Sequence, residues 1–177
     1  MKKEIIIHFL FLISFFIFIT LIKSWLKLFY WPFWIGGLVG TILPDLDHLI
    51  YVYFLSPQDL NSQRVNYLIG ERNILKSIEL LYETRYERAK SILHTAYFQI
   101  IFLILTFLVI FSSGSLFGKG LVMAFSLHLI IDEIIDLNTF NNLDNWFKQI
   151  PIVLDKQKYT IYWAANLIIL FIFVFFL

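Results

Sequence analysis

Five stretches of this sequence, near 4–22, 28–55, 91–112, 119–138 and 160–177, are apolar runs with few charges, and each is close to the length of about 20 residues that a helix needs to cross a bilayer. A chain so built has few folds open to it. Inside hydrocarbon every backbone amide must be satisfied internally, which leaves helices or a closed barrel, and unbroken apolar runs of this length belong to helices. The sequence predicts an all-α integral membrane protein of about five transmembrane helices in one domain, 1–177. The first run follows Met1-Lys2-Lys3 and lacks a small-x-small cleavage pattern, so it is expected to be a retained span rather than a removed leader.

Composition agrees. Hydrophobic residues make up 59% of the chain, charged residues 15%, and the mean hydropathy is +0.76, against about one quarter charged in a soluble domain. With a net charge of +1 and no basic run interleaved with aromatics, nucleic acid is excluded as a partner. There is no cysteine, so any metal would be held by histidine and carboxylate. The polar segment 56–90 is expected to form a helical arm, Ser56-Pro57 opening one helix and Gly70 closing it before a second whose apolar positions are Ile74, Leu75, Ile78 and Leu81. This arm packs on the protein or lies at the membrane interface. The segment 139–159 reads as the other substantial loop. Cytoplasmic loops are rich in Lys and Arg. An N-terminus inside places eleven of these residues on the cytoplasmic side and Lys23, Lys27 and Lys119 outside. The expected location is therefore the cytoplasmic membrane, with the arm and the 139–159 loop on its inner face.

The rare polar groups obey one rule. His8 and His94 stand early in the first and third runs, while His48 and His128 stand late in the second and fourth. In alternating spans these positions share one side of the bilayer, and Asp45, Asp47, Asp132, Glu133 and Asp136 follow them. Charged groups at membrane depth persist where they meet a partner, an ion or water. Lys90, one helical turn before His94, is the one basic residue expected nearby, and one lysine cannot balance five carboxylates. A divalent metal can.

The spacing sharpens this. His128 and Asp132, four apart, share a helix face and make a two-point clamp. Pro44 removes an amide and crowds the carbonyl of Gly40, predicting a break in the second span just before Asp45. Asp45 and Asp47 then occupy the first turn of a new half-helix, Asp45 and His48 share a face, and Asp47 points elsewhere, as a bridging ligand or general base. Plainer roles exist. A single intramembrane histidine also serves as an interhelical donor, a reading that stays open for His8, and Gly36-x-x-x-Gly40 suits helix packing as well as a substrate surface.

Together these residues resemble the YdjM-like family, predicted membrane-bound metal-dependent hydrolases. Its pattern is an early His in the first span, a Gly-rich Leu-Pro-Asp-x-Asp-His, a basic residue four before His-Ser, and His-x-x-x-Asp. The matching positions are His8, Gly36 through His48, Lys90 with His94-Thr95, and Ser126-Leu127-His128 through Asp132. The chain departs from the pattern at Ile7, Ala89-Lys90 and Thr95. Lys90 keeps a positive charge without the fork of arginine. The resemblance implies a distant likeness to zinc-dependent phospholipase C.

The expectation is one or two divalent ions, Zn²⁺ or Mn²⁺, held by Asp45, His48, His94, His128 and Asp132, with His8 as a further ligand. Asp47 is the candidate base and Lys90 the group that neutralises an anionic substrate. Such an ion activates water and polarises a phosphoryl or acyl oxygen, on a phosphoester or ester within reach of the lipid headgroups. A transporter of divalent metal or protons and a non-catalytic metal-binding scaffold are the alternatives. The oligomeric state is left open.

Overall fold

A computed structural model describes residues 2–84, 91–150 and 154–177, and among them the chain is helical without a strand. Helix α1, Lys2–Ile22, contains neither glycine nor proline. A turn with Ser24 at positive φ and a 3-10 turn at Leu28–Tyr30 lead into α2, Trp31–Ile42. The helix tightens to a 3-10 turn at Leu43–Asp45 and continues as α3, Leu46–Ile50, and a π-turn, Tyr51–Leu55. The break expected at Pro44 is thus a local narrowing. Leu43 still donates to Val39, the residues on both sides keep helical dihedrals, and Pro44 stands in the opening turn of the 3-10 segment, where a missing amide costs least.

The arm comprises α4, Leu60–Gly70, and α5, Ile74–Glu83. Gly70 ends the first of these as expected, but the helix starts at Leu60 rather than Pro57, with Asp59 at the N-cap and its carboxylate accepting from the Tyr51 hydroxyl. Val65 and Leu81 bury against Tyr51 and Val52, fixing the arm to the end of the second long helix, while Ile74 and Leu75 stay exposed.

The third apolar run becomes helix α6 only at Ala96, ending at Ser112. Residues 91–95 lie outside helix, with Thr95 as N-cap accepting from the Phe98 amide at 3.3 Å. Helix therefore does not lead into His94 over 91–95, and the expected position of Lys90 one turn before it lies outside the described residues. Helix α7, Leu116–Phe140, is capped by Ser115 and closed by Asn141 in the left-handed conformation that Asn tolerates. A short helix α8, Asp144–Phe147, interrupts the expected 139–159 loop and buries Trp146 and Phe147 against the bundle. Helix α9, Lys156–Phe176, is capped by Asp155, which accepts from the Lys158 amide.

Every residue of α7 from Val122 to Glu133 is buried, as expected of a helix surrounded by others. Helices α1, α2, α6 and α9 pack around it. The α2 contact is backbone on backbone: a Cβ on Gly36 or Gly40 would run into the carbonyl oxygen of Phe117 or Leu121, and one on Gly120 into that of Phe33. The small residues of Gly36-x-x-x-Gly40 are a packing seam of the membrane-helix kind. Thr106 and Ser126, 3.1 Å apart, clamp α6 to α7, and Trp163 donates to the Ile130 carbonyl from α9.

The outer faces are apolar. Leu10, Phe11 and Leu21 on α1, Ile101 and Ile104 on α6, and Ile168 and Phe175 on α9 are each more than half exposed, forming surfaces that water does not tolerate over this extent. Three helical stretches, Ile5–Ile22, Leu28–Leu55 and Lys156–Phe176, are long and apolar enough to cross a membrane, against the five expected. The other two fall short for identifiable reasons. Helix α6 has 17 residues, and α7 carries Lys119, Asp132, Glu133 and Asp136 within its length.

Candidate metal centre

The buried carboxylate of Asp132 lies where three imidazoles meet. His8 Nε2 of α1 is 3.5 Å from its Oδ1, while His94 Nε2, from the segment before α6, and His128 Nε2, one turn earlier on α7, are each 3.1 Å from Oδ2. The rings of His8 and His128 are 4.1 Å apart. Asp45 joins from the 3-10 turn, its Oδ1 3.7 Å from His128 Nε2. Its side chain keeps 34% of its surface exposed against 7% for that of Asp132, so Asp45 forms the rim and Asp132 the floor. Four separate stretches of chain thus deliver His8, Asp45, His94, and His128 with Asp132 to one place.

Two expected residues stand just outside this set. The ring of His48 stacks on that of His94 at 5.3 Å and 11°. Asp47 is fully buried and committed. Its Oδ1 accepts from the Ile92 amide, and its Oδ2 accepts from the amides of Leu93 and His94 and lies 3.0 Å from His94 Nδ1. The sequence suggested a bridging ligand or base; the structure has a carboxylate that pins residues 92–94 and orients one imidazole. This tertiary bonding also explains why α6 starts late, since the amides a helix would use are already taken. Lys90 lies outside the described residues.

The pairing fixes what His94 can offer. With the Nδ1 hydrogen donated to Asp47, Nε2 is left facing Asp132, the carboxylate–imidazole arrangement that orients metal-ligating histidines. His128 has a different environment. It is 2% exposed, and neither ring nitrogen makes a hydrogen bond among the described residues, although Nε2 is close to two carboxylates. A buried polar atom without a hydrogen bond is costly, and an ion held by Nε2 removes that cost. One ligand atom each from His8, His128 and Asp132 lie within 4.8 Å of one another. These three could hold a metal ion, and the nitrogen and oxygen donors suit a divalent one.

Substituting Asp47 by Ala removes the acceptor of three amides. We expect hydrogen exchange at Leu93 and His94 to accelerate at least about tenfold, the equivalent of about 1.4 kcal/mol, while exchange in α9 stays unchanged. Unchanged protection at both amides would show that Asp47 does not hold the segment.

Glu133, next to Asp132 in sequence, points elsewhere. It is fully buried and accepts from Asn166 Nδ2 at 3.3 and 3.4 Å, beside a Tyr162 hydroxyl that donates to Gln99 Oε1 at 2.6 Å. Asp136 accepts from Trp146 Nε1 at 2.9 Å, and the Trp146 ring stands edge-on to His94 at 5.7 Å. None of Gln99, Asn166, Tyr162 or Trp146 is legible as a site residue in sequence; the one signal is that polar Gln99 and Asn166 interrupt apolar helices. No family model, curated protein or solved structure matches this chain.

Proposed function

We propose that the chain is a membrane-bound metal-dependent hydrolase of the YdjM-like kind, acting on a lipid-linked phosphoester or ester at the cytoplasmic face of the cell membrane. The observation that carries this reading is the meeting of His8, His94 and His128 on Asp132 with the exposed Asp45 at the rim. Helices α6 and α7 complete a set of five spans with the N-terminus inside. Asp132 and Glu133, which spoil α7 as an isolated span, are buried against other helices rather than lipid.

His8, His94, His128 and Asp132 hold the ion, Zn²⁺ or Mn²⁺ by the mixed donor set. When bound, the ion supplies Lewis acidity toward a phosphoryl or acyl oxygen and lowers the pKa of water. Asp47 is a positioning residue that keeps Nε2 of His94 turned to the centre. With Asp47 committed to amides, Asp45 is the carboxylate left at the rim to take a proton from the attacking water. His48 supports the His94 ring from its far face, and Lys90 carries the positive charge that balances an anionic substrate.

A transporter would need polar groups leading across the bundle. Away from the centre the interior between α1, α2, α7 and α9 is filled by Phe16, Ile19, Phe33, Met123 and Leu170, all fully buried, which favours a one-sided catalytic site. A scaffold that binds metal without turnover shares the same ligands and differs in activity alone.

The test is turnover of short-chain phospholipid and of a chromogenic phosphodiester by purified protein loaded with Zn²⁺ or Mn²⁺. Product is expected with wild type, and its loss is expected in His128→Ala at unchanged helix content. In Asp45→Asn, turnover is expected to fall by about 10²–10⁴, the share of general acid–base catalysis, with the metal retained. Absence of product from fully loaded wild type on both substrates would remove the hydrolase reading, and divalent-ion flux into proteoliposomes would replace it with the transporter.

A further inference from the structure

A narrow cleft enters the bundle between α1 and α2. Its walls are Ile5, Phe9, Thr41 and Ile42, its floor is His8 and His128, and Asp45 stands at its mouth. His8, His128 and Asp132 are sealed, with side chains 2–7% exposed, whereas Asp45 at the cleft mouth is 34% exposed. Asp47, itself fully buried, ties the 92–94 segment to the centre through three amides. Around the mouth the surface is apolar. Ile42 of the cleft wall is 53% exposed, and Leu38 and Leu46, four residues to either side of it along the second long helix, are each 43% exposed.

We propose that the centre is reached sideways from the bilayer through this α1–α2 seam. The ligand it receives there is the phosphoryl group of a phospholipid whose acyl chains stay in lipid along Leu38, Ile42 and Leu46. Two observations point to a ligand rather than a packing defect. His128, buried and without a hydrogen bond at either ring nitrogen among the described residues, forms part of the floor. The room in the cleft is about 20 Å³, enough for one oxygen-sized group and far too little for a headgroup to enter whole. A phosphoryl oxygen presented from the membrane plane fits that shape; a soluble substrate that must be engulfed does not.

The charges add a condition. The negative carboxylates of Asp45 and Asp132 repel a phosphoryl group unless a cation lies between them, so the seam takes the lipid only when the metal is bound. This coupling rests on the metal-centre reading above, whereas the lateral route rests on exposure and cleft shape.

The experiment uses the full chain in vesicles of phosphatidylcholine and phosphatidylglycerol containing a trace of acyl-chain diazirine phosphatidylglycerol, with and without Zn²⁺. Adducts are mapped by mass spectrometry, and zinc per chain is measured on the same samples. With zinc, adducts at residues 5–9 and 38–46 are expected to rise several-fold over those at Ile101 and Ile104 on α6. Ile42→Trp is expected to remove the adduct at Phe9 while zinc content is kept. Excess inorganic phosphate should leave the seam adducts in place; if it abolishes them, free phosphate is the ligand and the lipid assignment is overturned. Bound zinc with seam labelling no higher than on α6 overturns the lateral route and leaves the metal centre standing. Seam labelling with no zinc retained overturns the metal condition and the hydrolase reading together.

Discussion

Gly36→Val is expected to lower the melting temperature of the purified protein by about 6–12 °C, the equivalent of about 3 kcal/mol in a chain of this size. The reason lies in the α2–α7 seam. At Gly36 and Gly40 an added Cβ meets main-chain oxygens of α7, and at Gly120 it meets the main chain of α2. A flexible side chain could move aside, but two helix backbones cannot give locally, so the helices must separate along the whole seam. The consequence reaches the site, because α2 leads straight into the turn that carries Asp45 and α7 carries His128. Their 3.7 Å separation widens when the seam opens, and activity falls with stability. Gly114 has open space around it, so Gly114→Ala is the control, with an expected change within about 0.5 kcal/mol. Equal melting temperatures for Gly36→Val and wild type would show that the two backbones are not in contact.

Asp132→Ala is expected to weaken divalent-metal binding by more than about 100-fold, beyond the range of 10–100-fold that removal of an outer partner of a ligand produces. Asp132 is the residue on which His8, His94 and His128 all converge, at 3.5, 3.1 and 3.1 Å. Without it three imidazoles face one another with no anion between them. Asp132→Asn keeps the shape and discards the charge, and should fall between wild type and Asp132→Ala. Competition with a chromophoric chelator measures all three, with helix content as the check on folding. An unchanged dissociation constant in a folded Asp132→Ala would place the ion elsewhere.

How much of this was legible in the sequence differs from residue to residue. His8, Asp45, His94, His128 and Asp132 could be placed together because the apolar runs, read as alternating spans, convert position along each run to depth. The i,i+4 clamp of His128 and Asp132 is a property of one helix and needs no tertiary knowledge. The role of Asp47 could not be seen, since it depends on amides about 45 residues further along the chain, and these bonds also unwind the first turn of the third run. The same is true of Gln99, Tyr162 and Asn166 around Glu133, where two neighbouring acidic residues of α7 face different partners. Pro44 signalled a break but not its size, which a single 3-10 turn at Leu43–Asp45 keeps small. Residues 139–159 read as a loop because their asparagines and Pro151 outweigh Trp146 and Phe147, yet it is those two aromatics, packed by α8 onto the bundle, that close the structure beside His94.

The central claim is that these imidazoles and carboxylates form a metal centre, and metal content tests it most directly. Wild-type protein in detergent is loaded with Zn²⁺ or Mn²⁺, passed through a desalting column without chelator and analysed for metal per chain, beside His128→Ala prepared the same way. The account predicts one or two ions retained per wild-type chain and a stoichiometric loss in the folded variant. A folded wild type that retains no ion, or a variant that retains as much as wild type, would contradict it.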